Sequence, residues 1–392
     1  MLRDRAFVRL WIATTASGLA TWALPFVLGL AVLDRTLTGT ELGLALGVRT
    51  AGFLAAVPAG GVLADRHSRR GVVLWSGLAA AAACPVMAAG LGGSKALLLA
   101  GAAVAGAGQG ACRPAFQALT AEVVEPERRQ RANAAMSLAV RVTTLVAPGL
   151  TAIAAAVTGP GALLLATGVL WLTAALLPPR GTMGTDGARG PRASMLREFA
   201  DGVREARRHP WFLAGLGALT TVIATGYSAS GVALPLVSRD RYETEVVLAA
   251  ALTAYTAGAL AGAVLVARWR PRAPGWIALA ALACYGLVPL SLLAPVPPAA
   301  VVAAYVVAGL GIEVFNVLWF TATQREVEPS KLARVSSLDF LASYGLAPVG
   351  LALFAPAMDV AGTTAVLAVC VGACFAAPAA AALVPTTRRF GR

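Results

Sequence analysis

Gly60-Gly61-Val62-Leu63-Ala64-Asp65-Arg66-His67-Ser68-Arg69-Arg70-Gly71 decides how the rest of the chain is read. One acid and three arginines fall within residues 65–70, and an apolar run long enough to cross a bilayer lies on either side. Charge of that density between two spans belongs at a membrane surface, because ionised side chains are costly in hydrocarbon. Basic residues alone would mark a loop that sets topology. The acid, with Gly61 one turn before it, asks for more.

Outward from this stretch the chain stays apolar. Its 392 residues are 58% hydrophobic and 13% charged, where a soluble chain carries about 25% charge. Mean hydropathy is +0.73. The net charge of +13 would suit a nucleic-acid partner, but the placement of the arginines argues for a lipid bilayer instead, and no nucleic acid is expected. Cys84, Cys112, Cys284, Cys370 and Cys374 all lie in apolar runs, while His67 and His209 lie in loops. That pattern predicts neither a metal site nor a disulfide framework. No Gly-x-x-x-x-Gly-Lys-Ser/Thr stretch occurs, so no nucleotide and no cofactor is implied.

Twelve apolar segments of about 18–27 residues are each near the length a helix needs to span a membrane. They run over 7–33, 42–63, 72–91, 96–120, 132–157, 161–178, 210–237, 246–267, 275–293, 299–322, 336–358 and 362–384. The first follows a few basic residues and exceeds a signal-peptide core, so it reads as a retained span. With the N-terminus inside, the inner loops hold Arg66, Arg69 and Arg70, then Arg128, Arg129 and Arg131, then Arg268, Arg270 and Arg272. The outer loops hold only Arg35, Lys95, Arg239 and Arg241. This asymmetry predicts both termini on the cytoplasmic side of the inner membrane.

The polar stretch 179–209 divides the chain into a 1–178 bundle of six spans and a 210–392 bundle of six spans. Its first half is Gly-rich and reads as a flexible linker. Its second half sets Leu196, Phe199 and Val203 among Arg and Glu, the pattern of a short amphipathic helix on the inner membrane surface. The two bundles also repeat at a nearly constant offset. Gly106-x-Gly108 matches Gly309-x-Gly311, and Val124-Glu125-Pro126 matches Val327-Glu328-Pro329. Ala147-Pro148 matches Ala347-Pro348, and Asp65-Arg66 falls opposite Ala267-Arg268, so the second copy lacks the acid. A duplicated six-helix unit is a common construction in transporters.

The opening stretch resembles the signature G-x-x-x-D-[RK]-x-G-[RK]-[RK] of the major facilitator superfamily. Gly61, Asp65, Arg66, Arg69 and Arg70 match it in order, and Ser68 replaces its second glycine. The resemblance implies an all-α integral membrane protein with twelve transmembrane helices in two six-helix bundles. Phe7-Val8-Arg9-Leu10-Trp11, Arg113-Pro114-Ala115 and Ala132-Asn133-Ala134 are similar to the macrolide-efflux and enterobactin-export branch. Two motifs of proton-coupled exporters are incomplete. Gly106 stands where an arginine would precede Gln109-Gly110, and the antiporter pattern of the fifth span survives only as Ala147-Pro148-Gly149.

Ionisable residues within spans are candidates for the substrate path by default. Arg113 in the fourth span and Asn316 in the tenth correspond through the repeat, with Glu313 one turn from Asn316. They line a central cavity or form a buried pair that orders the bundle. Arg49 and Arg141 face the cavity or are paired structurally, with Tyr344 the repeat counterpart of Arg141. Trp22 and Tyr227 are the aromatic cavity candidates. Glu313, then Asp339 and Asp34, are the proton-coupling candidates. Asp339 also completes a capping-box pattern with Ser336 at the start of the eleventh span.

The resemblance implies a gate as well. Asp65 is expected to meet the amides of residues 336–338, with Arg66, Arg69 or Arg70 holding it or gripping Glu122 and Glu125. The resulting expectation is a monomeric secondary transporter, not an enzyme, that exports a small amphipathic compound such as a drug, antibiotic or siderophore against protons. The alternatives are uptake of a nutrient or organic acid, and a membrane sensor or scaffold that kept the fold without transport.

Overall fold

In lipid a backbone can satisfy its polar groups only within itself, so each apolar run must be helical. Small polar side chains set where the helices begin. Thr38 and Glu41 form a reciprocal capping box, with the Glu41 carboxylate accepting from the Thr38 amide at 2.8 Å and the Thr38 hydroxyl from the Glu41 amide at 3.2 Å. Ser68, the departure from the family signature, caps the next helix: its hydroxyl accepts from the Gly71 amide at 3.1 Å. A hydroxyl does there what glycine cannot.

A computed structural model describes residues 4–181 and 194–390, except the side chains of residues 344, 346–352 and 355. Its helices are α1 (Arg5–Leu33), α2 (Gly39–Arg66), α3 (Arg69–Gly90), α4 (Lys95–Val123), α5 (Arg129–Ala155), α6 (Pro160–Leu176) and α7 (Met195–Arg207). They continue with α8 (Pro210–Asp240), α9 (Val246–Arg268), α10 (Pro274–Leu293), α11 (Pro298–Glu326), α12 (Leu332–Ala361) and α13 (Thr363–Ala382). Ten of these are long and apolar enough to cross a membrane among the described residues. The 17-residue α6 and the 30-residue α12 occupy the places of the sixth and eleventh expected spans. The remaining helix, α7, falls where the amphipathic segment was expected.

The helices gather into two compact units. One holds Met1–Ala132, Ala139–Val203 and Val327–Leu338; the other holds Asn133–Leu138, Arg204–Glu326 and Asp339–Arg392. In the first unit α4 is the hub, packed on α2 and α3, while α6 packs on α1 and α3. In the second unit α11 is the hub, packed on α9 and α10, while α13 packs on α8 and α10. The internal repeat of the sequence thus reappears as one packing plan used twice.

Close helix crossings need residues without side chains. A Cβ added at Gly106 would run into the carbonyl oxygen of Arg49, and one at its repeat partner Gly309 into that of Tyr255. Gly108 and Gly311 likewise lie over the carbonyls of Ser76 and Ala281.

α8 widens into a π-helical stretch at Val222–Tyr227. Such stretches recur at functional positions in membrane and soluble helices alike. Tyr227 ends it and is 49% exposed.

Candidate functional site

Asp65 is the last acid of α2, and its side chain is fully buried in the first unit. Its Oδ1 accepts from the Ala333 amide at 3.1 Å and its Oδ2 from the Arg334 amide at 2.9 Å. Arg334 Nε lies 3.4 Å from the same carboxylate. Ala333 and Arg334 are in the first turn of α12, whose amides have no partner within the helix and carry the positive end of its dipole. The carboxylate therefore sits where a helix binds anions.

This placement corrects two expectations. The amides that meet Asp65 are those of Ala333 and Arg334 rather than those of residues 336–338. The Ser336-to-Asp339 capping box does not form, because the helix has already begun. A 3-10 turn, Pro329–Lys331, starts the chain coiling, and α12 follows at Leu332. Ser336 is buried inside the helix, and Asp339 instead accepts a hydrogen bond from Trp319 Nε1 at 3.1 Å.

Gly61 explains its place in the signature. A Cβ there would come 2.8 Å from the Ala333 carbonyl oxygen and 2.9 Å from Ser337 Cβ. The three loop arginines each take a different partner. Buried Arg69 donates to Glu122 Oε2 at 3.3 Å, to the Ala118 carbonyl at 3.3 Å, and to the carbonyl of Pro329. It ties the end of α4 to the turn before α12. Arg66 pairs with Glu198 of α7. Arg70 donates to the carbonyls of Pro178 at 2.7 Å and Leu176 at 3.0 Å. Glu125 pairs with Arg128 at 3.3 Å on the surface.

Deeper in the same unit, Arg49 of α2 donates to Gln109 Oε1 of α4 at 2.6 Å and to the Thr21 carbonyl of α1 at 3.2 Å. Gln109, one turn from Arg113, thus serves Arg49. Arg113 is half-buried; its Nε is shielded from solvent and has no hydrogen-bond partner among the described residues. Its like charge acts on Arg49. Trp22, beside Thr21, is 39% exposed, and Arg141 of α5 is half-buried.

In the second unit Glu313 is 0% exposed. A Cβ added at Gly262 of α9 would lie 3.2 Å from Glu313 Cβ, so the acid enters the α9–α11 crossing. Asn316, one turn on, is half-buried. Asp34 is exposed just past α1. The Tyr344 side chain lies outside the described residues.

Three participants escaped the sequence reading. Arg334 and Glu198 looked like ordinary loop charges. Asn133 was noted only as part of a family-like triplet, yet it pairs reciprocally with Gln324 in the second unit. One signal would have located Arg334. Val-Glu-Pro precedes a 3-10 turn and then a helix in both copies, at Pro126–Arg128 before α5 and at Pro329–Lys331 before α12.

The fold is similar to that of solved transporters. The human organic anion transporter MFSD10 (TETRAN) superposes with a TM-score of 0.76 at 15% identity, covering 96% of this chain and 99% of that one. A bacterial homologue of the iron transporter ferroportin, in the outward-facing state, superposes with a TM-score of 0.76 at 17% identity, covering 96% and 98%. The same homologue soaked with iron gives 0.75 at 16% identity over the same shares. No curated protein sequence matches the chain. The sequence profile of the Major Facilitator Superfamily matches residues 10–351. The chain belongs to the major facilitator superfamily and is a multi-pass membrane transporter of a small molecule.

Proposed function

We propose that this transporter is a proton-coupled exporter of small amphipathic compounds bearing an anionic or carbonyl-rich face. It lies in the cytoplasmic membrane with both termini inside, and it works as a monomer. The halves 1–178 and 210–392 rock about a central cavity, as in the macrolide-efflux and enterobactin-export branch that its motifs resemble.

The observation that carries alternating access is the carboxylate of Asp65 on the first-turn amides of α12. A contact of two charge-assisted hydrogen bonds can form and break without unfolding a helix. It biases a two-state equilibrium while leaving the substrate untouched. In this reading it closes the cytoplasmic side and is absent when the cavity opens inward.

The positive lean of the deep polar groups supports the substrate class. Arg49 engages neutral groups, Gln109 and the Thr21 carbonyl, and Arg113 keeps a shielded Nε in reserve. The organic-anion description of MFSD10 agrees with that lean. Glu313, fully buried in the α9–α11 crossing, is the first choice for the proton-carrying group, ahead of Asp339 and Asp34. Protonation of a buried acid changes its cost in the membrane by several kcal/mol, roughly 2.5–3.5 on insertion scales.

The test is transport in proteoliposomes by a panel of fluorescent amphipathic anions, cations and neutral compounds. An imposed proton gradient should drive anionic or carbonyl-rich probes away from the cytoplasmic face, and Arg113→Ala should slow them selectively. Accumulation in the opposite direction would favour uptake. Absence of counterflow for every probe would favour a non-transporting scaffold.

A further inference from the structure

At one rim of the first unit three arginines converge on the end of α6. Arg9 of α1 donates from Nε to the Leu177 carbonyl at 2.9 Å. Arg70 of α3 donates to the carbonyls of Pro178 and Leu176. Arg180 follows two residues after Pro178, and the charges of Arg9 and Arg180 both act on Arg70. All three are cations, and none forms an ion pair among the described residues. Glu122, whose carboxylate lies beside Gly181, is already engaged by Arg69.

Carbonyls at a helix C-terminus draw cations, which accounts for Arg9 and Arg70 individually. It does not account for a third cation beside them, or for one buried donor left over. Arg70 Nη1 is shielded from solvent and has no hydrogen-bond partner among the described residues. A buried guanidinium nitrogen without an acceptor is costly unless something supplies one.

The surface below the cluster is apolar and open. Ile12, one turn from Arg9, is 41% exposed. Leu172, one turn before Leu176, is 39% exposed, and Leu176 itself 58%. α1 is long and apolar enough to cross a membrane and α6 takes the place of the sixth expected span, which sets these side chains against acyl chains. A phosphate-sized anion tethered to an acyl chain would meet the arginines with its head and the leucines with its tail.

We propose that Arg9, Arg70 and Arg180 form a binding site for the phosphate of an anionic phospholipid at the edge of α1, α3 and α6. Basic pockets between spanning helices on the cytoplasmic side bind such headgroups. Arg70 Nη1 donates to a phosphate oxygen, Arg9 and Arg180 supply charge, and the acyl chains lie along α1 and α6. The bound lipid joins the start of α3 to the end of α6, next to the signature loop.

The test places the purified full chain in phosphatidylcholine vesicles containing spin-labelled phosphatidylglycerol or spin-labelled phosphatidylcholine. The protein-immobilised fraction of each is read by electron paramagnetic resonance. The wild type should immobilise phosphatidylglycerol preferentially, and removing each arginine should reduce that preference about fivefold. Arg180→Gln is the safest variant, since its side chain makes no hydrogen bond among the described residues; Arg9→Gln and Arg70→Gln complete the set. Arg268→Gln with Arg272→Gln removes two inner-loop charges elsewhere, more than any single site variant, and should leave the preference intact. Equal loss in that control would overturn the site in favour of general surface charge. Displacement of the labelled lipid by inorganic phosphate would overturn it in favour of a soluble anion. An unchanged preference in Arg180→Gln and Arg9→Gln would overturn it outright.

Discussion

Each unit holds a short helical piece from elsewhere in the chain, and the two hold it by different chemistry. In the first unit Val327–Leu338 is held by charge: Asp65 on the α12 amides, Arg334 beside it, and Arg69 on the carbonyl of Pro329. In the second unit Asn133–Leu138 is held by neutral amides. Asn133 Nδ2 donates to Thr321 Oγ1 and Gln324 Oε1, both at 2.9 Å, and Gln324 returns a bond at 3.2 Å. The repeat puts Ala267 where the first copy has Asp65, so a charged clamp of the same kind is not encoded there. A duplicated unit has kept its packing plan and diverged in the polar groups that hold the helical piece from elsewhere in the chain.

The crossings diverge too. Gly110 of α4 lies over the Phe53 carbonyl of α2, while its repeat partner Glu313 puts an acid against Gly262 of α9. The largest expected effect follows from that difference. Glu313→Gln should lower gradient-driven accumulation in proteoliposomes about tenfold or more, while exchange without a gradient continues. Accumulation at the wild-type level would remove Glu313 from coupling and leave the crossing a matter of packing.

Where the copies agree, damage should agree. Gly106→Leu and Gly309→Leu each force a side chain into a facing carbonyl, and overpacking costs about 1–3 kcal/mol. Thermal unfolding in detergent should show similar losses for both. A loss confined to one copy would mean that the two crossings are not equivalent.

Asn133→Ala sharpens the contrast between the clamps. It removes hydrogen bonds worth about 0.5–1.5 kcal/mol each. Its effect on stability should be the same at low and high ionic strength, because neither amide is charged. A strong salt dependence would show that the second clamp has an electrostatic part.

The twelve apolar segments were legible because hydrocarbon imposes length and composition together, and the signature loop because its residue types are dictated by close approach and charge. Gly61 and Asp65 are forced by the same neighbour, the first turn of α12. The register of that neighbour was not legible from charge and capping patterns. Ser336 and Asp339 have the right types for a cap, but Pro329 starts the coil earlier and leaves them inside the helix. The partner of Arg49 was hidden for another reason. Helical periodicity places Gln109 on the face of Arg113, whereas contact with α2 gives its oxygen to Arg49. Which residue of one helix meets which of another depends on crossing geometry, and single-helix spacing does not contain it.

Asp65 is where the account can be tested most directly. In a cysteine-free background, spin labels at positions 67 and 330, both exposed, report the distance across the contact. Asp65→Asn removes the charge while keeping the shape, and should shift the distance distribution towards the longer population by about 0.3–2 kcal/mol, with insertion and substrate affinity retained. Identical distributions in Asp65→Asn and the wild type would contradict the claim that this carboxylate holds the cytoplasmic side closed.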